Sequence, residues 1–270
     1  MTRLWKNTLA SSFAFLTVGV LALGCGGNEN GKTGDGDQTK NGGGKSAGLD
    51  AFPAGTATGF ISGKVSYTGD DTKPSYHDVA SQPECGEHHN NGLLVQAKFK
   101  LGKDGGLPNV FIEVKGLEWS FDPPKTPVKI DQVNCEYIPN VVGIMVGQDL
   151  EVTSSDGFSH NVKWVGKKNR PTKLNFTVNK GEKHKLKGQD WRKTELAKFE
   201  CSIHSWMSCE FHVVKHTVFT VSDADGNFRL PVKLPDGEYE IEFRHAKRGN
   251  KTIKVTIAGK DPESVTVEFN

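Results

Sequence analysis

The sequence predicts an all-β chain, and three observations support that expectation. From about residue 58 onward, apolar and polar residues alternate in short runs, the period of half-buried strands. Gly, Asn, Asp and Pro punctuate these runs at short intervals, which is the spacing of a sandwich or barrel. Beyond the N-terminal leader no stretch keeps a helical period, apart from a turn near Gln189 to Thr194.

The chain of 270 residues has room for one large domain or two small ones. Arg3 and Lys6 precede an apolar run, Leu9 to Leu23, that is too short for a membrane span and is closed by Gly24-Cys25, the pattern of a signal peptide. Ala22-Leu23-Gly24-Cys25 further resembles a bacterial lipobox, which implies acylation of Cys25 and attachment to a bacterial membrane on its periplasmic or outer side. A plain secretory signal is the alternative. Residues 26–48 are rich in Gly, Asn, Lys, Asp and Thr and lack the apolar content to bury a core, so the segment 25–57 is expected to be a disordered tether. Its reach is roughly 25–30 Å. Lys and Arg number 34 against 32 Asp and Glu, and loss of Arg3 and Lys6 with the leader balances the charge. No nucleic-acid footprint follows from that balance. The basic runs at 163–173 and 180–187 are solvated faces, or else a dock for an acidic partner.

In the folded part, Gly59 to Gly69 and Leu107 to Gly116 alternate as strands on either side of a long polar loop. Within that loop Cys85-x-x-His88-His89 could ligate zinc, but no matching second cluster lies nearby, and a disulfide anchoring the loop is the preferred reading. Strands are expected at 128–133, 141–146, 149–154, 161–165, 174–178, 195–201 and 208–214. Asp223-Ala224-Asp225-Gly226-Asn227 separates two further runs as a turn, because Gly and Asn tolerate positive φ and Asp bonds its own backbone. The run lacks the closing glutamate of an EF-hand calcium loop.

One short loop concentrates metal-binding chemistry. Cys201, His204 and Met207 place a thiol, an imidazole and a thioether within seven residues, a soft and borderline set suited to copper in both oxidation states. His160, upstream at the end of an alternating stretch, supplies the second imidazole that a trigonal copper site with a weak axial thioether needs.

Here the chain resembles a known family. Ser155 to Val162 is similar to the first-ligand segment of plastocyanin and amicyanin, and Cys201-x-x-His204-x-x-Met207 has the spacing of the amicyanin loop. Cys135-x-Tyr137-x-Pro139, Val146 to Gln148, His160-Asn161 and the Cys201 to Met207 loop follow in the order seen in cupredoxin-like bacterial lipoproteins. One departure is Asn140, where such relatives carry histidine. The resemblance implies a Greek-key sandwich holding one type 1 copper, with His160, Cys201 and His204 as equatorial ligands and Met207 as the axial one. Asn161 is expected to tie its segment to Ser202 by hydrogen bonds, as a support for the ligands. Trp206 is either part of an apolar docking surface for a redox protein or packed beneath the loop.

The five cysteines sort accordingly. Cys25 goes to lipid and Cys201 to copper; outside the cytoplasm Cys85 with Cys135 is the favoured disulfide. Cys209 alternates with Phe211 and Val213 and is expected to be a buried thiol, while a Cys201–Cys209 bridge would abolish the site. The isolated His212, His216 and His245 are expected to be structural or exposed. The C-terminal segment resembles the second half of carboxypeptidase regulatory-like, transthyretin-like sandwiches, with Gly59 to Val65 and Asn109 to Gly116 as the first half. That implies a nested order, 58–120 and 217–270 enclosing 121–216, with a tandem order as the alternative. The function expected is single-electron transfer by a membrane-anchored, non-enzymatic copper protein. A copper carrier or sensor, or a surface binding module for carbohydrate or protein with a vestigial loop, are the competing readings.

Overall fold

A computed structural model describes residues 52, 55–169 and 174–270. The signal segment, Cys25 and most of the tether lie outside the described residues. The described chain is all-β, and its strands form two sandwiches.

The inner sandwich faces two sheets together. One is five-stranded, in the order Asn175–Val178, His160–Val165, Glu195–Glu200, Ser208–Val214, Val141–Met145; the other is four-stranded, in the order Lys183–Leu186, Leu150–Ser154, Val128–Val133, Glu136–Ile138. The alternation explains each layer. In Glu195–Glu200, Ala197 and Phe199 point inward, while Leu196 stands 53% exposed. Ser208–Val214 is paired on both edges and is buried along most of its length, as a central strand should be. Between the sheets Trp164, Trp191, Phe199 and Phe211 pack with ring centroids 5.0–5.5 Å apart. Each fully buried side chain of this size contributes about 1.5–3 kcal/mol relative to exposure.

The outer sandwich draws strands from both flanks of the inner one. Ser62–Tyr67 lies between Asn227–Arg229 and Val265–Phe269, and Phe111–Val114 lies between Phe219–Val221 and Gly237–His245, which pairs onward with Gly249–Ile257. The chain therefore leaves this sandwich after Val114, builds the inner sandwich, and returns at Phe219. At Asp223 the carboxylate accepts the Asp225 and Asn227 N–H groups, and Gly226 takes φ +81°, so the acidic run forms a self-bonded turn.

The sandwiches meet through Phe111, Val141 and Val214, with Phe219 and Val221 against them. His212 stacks on Phe111 at 3.8 Å and its Nε2 bonds Glu210, while the buried His216 faces Glu113 at 3.7 Å. Gly143 is required by this approach, since a Cβ there would lie 2.2 Å from the Phe219 ring. Structural burial is thus the fate of both histidines.

Three expectations need correction. Phe52, assigned to the tether, is buried edge-on against Trp119 and Phe121, because an aromatic ring at the folded body gains more from stacking than from solvent. Strands Glu136–Ile138 and Lys183–Leu186 were not anticipated: the first is three residues long and stops at Pro139, and the second is an edge strand whose lysines read as a charge run. The turn expected near Gln189 to Thr194 is a single 3-10 turn at Gly188–Asp190.

His245 ends its strand as a buried ring whose Nδ1 accepts the Lys247 and Arg248 N–H groups. Burial, reinforced by the Arg248 charge, pushes it down to about 4. The unfolded chain binds this proton near pH 6.5 and the folded chain only near 4, so stability is full above about pH 6.5 and falls as pH drops toward 4, by up to about 3 kcal/mol. His245→Asn, which keeps an acceptor for the turn, is expected to shrink the difference in denaturant midpoint between pH 7 and pH 4.5. An undiminished difference would assign the loss to other groups.

Candidate metal centre

The hairpin Glu195–Glu200/Ser208–Val214 sets the loop by its register. Glu200 pairs with Ser208, so residues 201–207 must close between them, and they do so through Cys201 N–H to Met207 O (3.2 Å) and Met207 N–H to His204 O (3.0 Å). His160 opens the neighbouring strand, whose Lys163 pairs with Glu200. Antiparallel pairing at that point places His160 and Asn161 beside the start of the loop.

There His160, Cys201 and His204 bring ring nitrogens and sulfur within 4.8 Å of one another, all three buried. His160 Nδ1 and His204 Nδ1 are 3.0 Å apart, and Cys201 Sγ is 3.7 Å from the latter. Two imidazole nitrogens that close repel through their lone pairs unless a proton or cation lies between them. Met207 is also buried and belongs to the same apolar cluster as Cys201.

The thiol is prepared for ionisation. Burial works against the thiolate, but hydrogen bonds from His160, His204 and the backbone N–H groups of His204 and Asn161 outweigh it and bring Cys201 down to about 5. Cys209, by contrast, is driven up by complete burial, and its thiol donates to Pro139 O. Both cysteines are free, so no bridge joins them. Cys85 and Cys135 form a disulfide, which removes Cys85 from any zinc set with His88 and His89.

The supports are specific. Asn161 Oδ1 accepts the Ser202 N–H at 3.1 Å, its backbone N–H reaches Cys201 Sγ, and its Nδ2 donates to Asn175 Oδ1 and Phe176 O. Asn161 O in turn accepts Tyr137 Oη–H at 2.6 Å and Gln132 Nε2. Burial pushes the Tyr137 phenol up, so it stays a donor. Trp206 is half-buried, and its Nε1 donates to Cys135 O. Asn140 donates from Nδ2 to Tyr137 O and accepts the Glu210 N–H, bracing the chain beside Pro139.

One residue escaped the sequence reading. Asp156, 5% exposed, accepts His160 Nε2 through Oδ2 at 2.7 Å, and also the Cys135 N–H (2.9 Å) and, through Oδ1, the Asn134 N–H (2.6 Å). This fixes the His160 ring and turns its Nδ1 toward Cys201 and His204. Burial opposes ionisation of Asp156, yet the bond to His160 and the two N–H groups hold it below the usual carboxylate range; the same bond raises His160 against its own burial. A thiolate-forming cysteine, two oriented imidazoles and a neighbouring thioether residue fit copper better than a hard cation.

No family model and no curated protein matches the chain. Among solved structures it is similar to a copper-containing nitrite reductase from Thermus scotoductus SA-01 (20% identity, TM-score 0.28, 38% of this chain and 25% of that one). The chain thus spans about a quarter of that reductase. It is also similar to a purple cupredoxin from Nitrosopumilus maritimus (21%, TM-score 0.27, 32% and 99%) and to amicyanin from Paracoccus versutus (17%, TM-score 0.28, 38% and 97%).

Proposed function

We propose that the inner sandwich is a cupredoxin domain that holds one copper ion through His160, Cys201, His204 and Met207 and serves as a single-electron carrier, not a catalyst. The convergence of three buried donors within 4.8 Å is the observation that supports this most directly. Copper held by a thiolate and imidazoles cycles between its two oxidation states and so provides a one-electron store. The chain's own residues limit rearrangement: Asp156 orients His160, Asn161 couples the two ligand segments, and the 200–208 register holds the loop ends. The proposal includes an extracytoplasmic location with attachment through a lipid on Cys25, a redox protein as partner, and Trp206 at the docking surface. Among the described residues no helix is long and apolar enough to cross a membrane. The outer sandwich is proposed to be of the carboxypeptidase regulatory-like kind.

Copper titration of a chain beginning near Leu49, which keeps Phe52, tests the reading. An intense blue thiolate-to-copper band that bleaches and returns through redox cycles is expected. A colourless protein with Cys201 in a disulfide would overturn it. Asn161→Ala removes the acceptor for Ser202 N–H and two further bonds, so a stability loss of about 1–2 kcal/mol and a shifted reduction potential are expected. Voltammetry showing an unchanged potential, with unchanged copper affinity, would count against that support role.

A further inference from the structure

His204 sits in a surface loop whose neighbours Ser202, Ile203 and Ser205 are exposed, yet it is itself only 4% exposed. The rings of His160, Trp206 and Phe158 flank it at centroid distances of 4.8, 5.3 and 6.0 Å, and a further cover comes from elsewhere in the chain. Between Ser62–Tyr67 and Phe111–Val114 the outer sandwich sends out an excursion built from the strand pair Tyr76–Asp78/Leu93–Val95 and the short helix Pro83–Gly86. Val79, Cys85 and Leu94 of this excursion bury into the cluster that contains Cys201 and Met207. The Cys85 and Cys135 sulfurs lie within 4.8 Å of a ring nitrogen of His204. His89 Nε2 bonds Asn134 O at 2.8 Å, and Trp206 Nε1 bonds Cys135 O at 3.3 Å, so the anchor point is held on both sides.

We propose that residues 76–99 are a cap over the His204 side of the metal site and that the Cys85–Cys135 disulfide is its latch. With the latch closed, solvent and chelators are kept from the His204 ring. Reduction by a dithiol breaks the S–S bond, places two electrons and two protons on Cys85 and Cys135 as thiols, and leaves the reductant as its own disulfide. The cap is then held by non-covalent contacts, among them the burial of Val79 and Leu94, the His89 bond and Lys247 over the Phe99 ring, an attachment that opens locally far more often than a covalent one. Metal entry and release would thereby follow the thiol redox state of the surroundings. This inference rests on His204 being a metal ligand, but the cap itself does not need the metal to be tested.

The test is modification of the metal-free full chain by diethyl pyrocarbonate with peptide mapping, comparing wild type and the Cys85→Ser/Cys135→Ser variant. His204 is expected to react at least about tenfold faster in the variant, while the exposed His88 reacts equally in both and serves as the internal standard. The copper-loaded forms should show a parallel acceleration of copper loss to a Cu(I) chelator. Equal protection of His204 in both proteins overturns the proposal. Should the double variant fail to fold, wild type reduced with dithiothreitol decides it: faster hydrogen exchange across 76–99 together with His204 reactivity supports the latch, and no change in either removes it. A chain that takes no copper but still shows His204 unmasked by reduction would overturn the metal reading and leave the cap standing.

Discussion

Asp156→Ala is expected to cost about 3–5 kcal/mol of stability and to lower copper affinity roughly 10–100-fold. The carboxylate serves three donors at once: His160 Nε2, the Cys135 N–H and the Asn134 N–H. Asn134 and Cys135 both adopt positive φ (52° and 60°), a conformation that asparagine tolerates but that costs a residue such as cysteine, so the bonds to Asp156 help to hold the turn. Alanine leaves these donors buried without an acceptor and frees the His160 ring to turn. Asp156→Asn keeps one oxygen but presents an amide to the other donors, so an intermediate loss is expected. Denaturant midpoints of the metal-free proteins and competition with a copper chelator would measure the two effects. Wild-type values in Asp156→Ala would show that the network is incidental.

Cys201→Ser is expected to abolish the blue band and to weaken copper binding by more than the roughly 10–100-fold that a supporting residue commands. Cys201 is held near 5 by its four hydrogen bonds, which makes the thiolate the form present at neutral pH. A serine hydroxyl stays protonated there and is a harder donor. Serine is close in shape and can accept the Asn161 and His204 N–H groups in turn, so the fold should change by less than about 1 kcal/mol. Visible absorption, paramagnetic resonance and a thermal scan separate the outcomes. An intense band surviving in the variant would place the chromophore on another cysteine; loss of folding with the band would make Cys201 a core residue first.

Much of the inner sandwich is legible because one period governs it. Ile130, Val152, Phe199 and Phe211 alternate with polar neighbours, and a period of two has one face to bury. The nearness of Cys201, His204 and Met207 is legible for a similar reason, since a loop between paired Glu200 and Ser208 cannot separate them. Lys183–Leu186 was illegible because lysines on an edge strand look like those of a solvated loop. Asp156 was illegible because a spacing of four residues carries meaning on a helix, and here the residues form a loop entering a strand.

What the sequence determined by itself was local: strand periodicity, turn chemistry, and the soft donors gathered in one loop. The tertiary structure decided how the supports of the site, drawn from distant segments, reach it. It brought Asp156 onto His160 and the 134–135 turn, and it set the Cys85–Cys135 disulfide, already favoured from the sequence, beside the His204 ring. Periodicity reports which face of a strand is buried but not which segment buries it, because that choice depends on packing between elements whose order in the chain leaves many partners open.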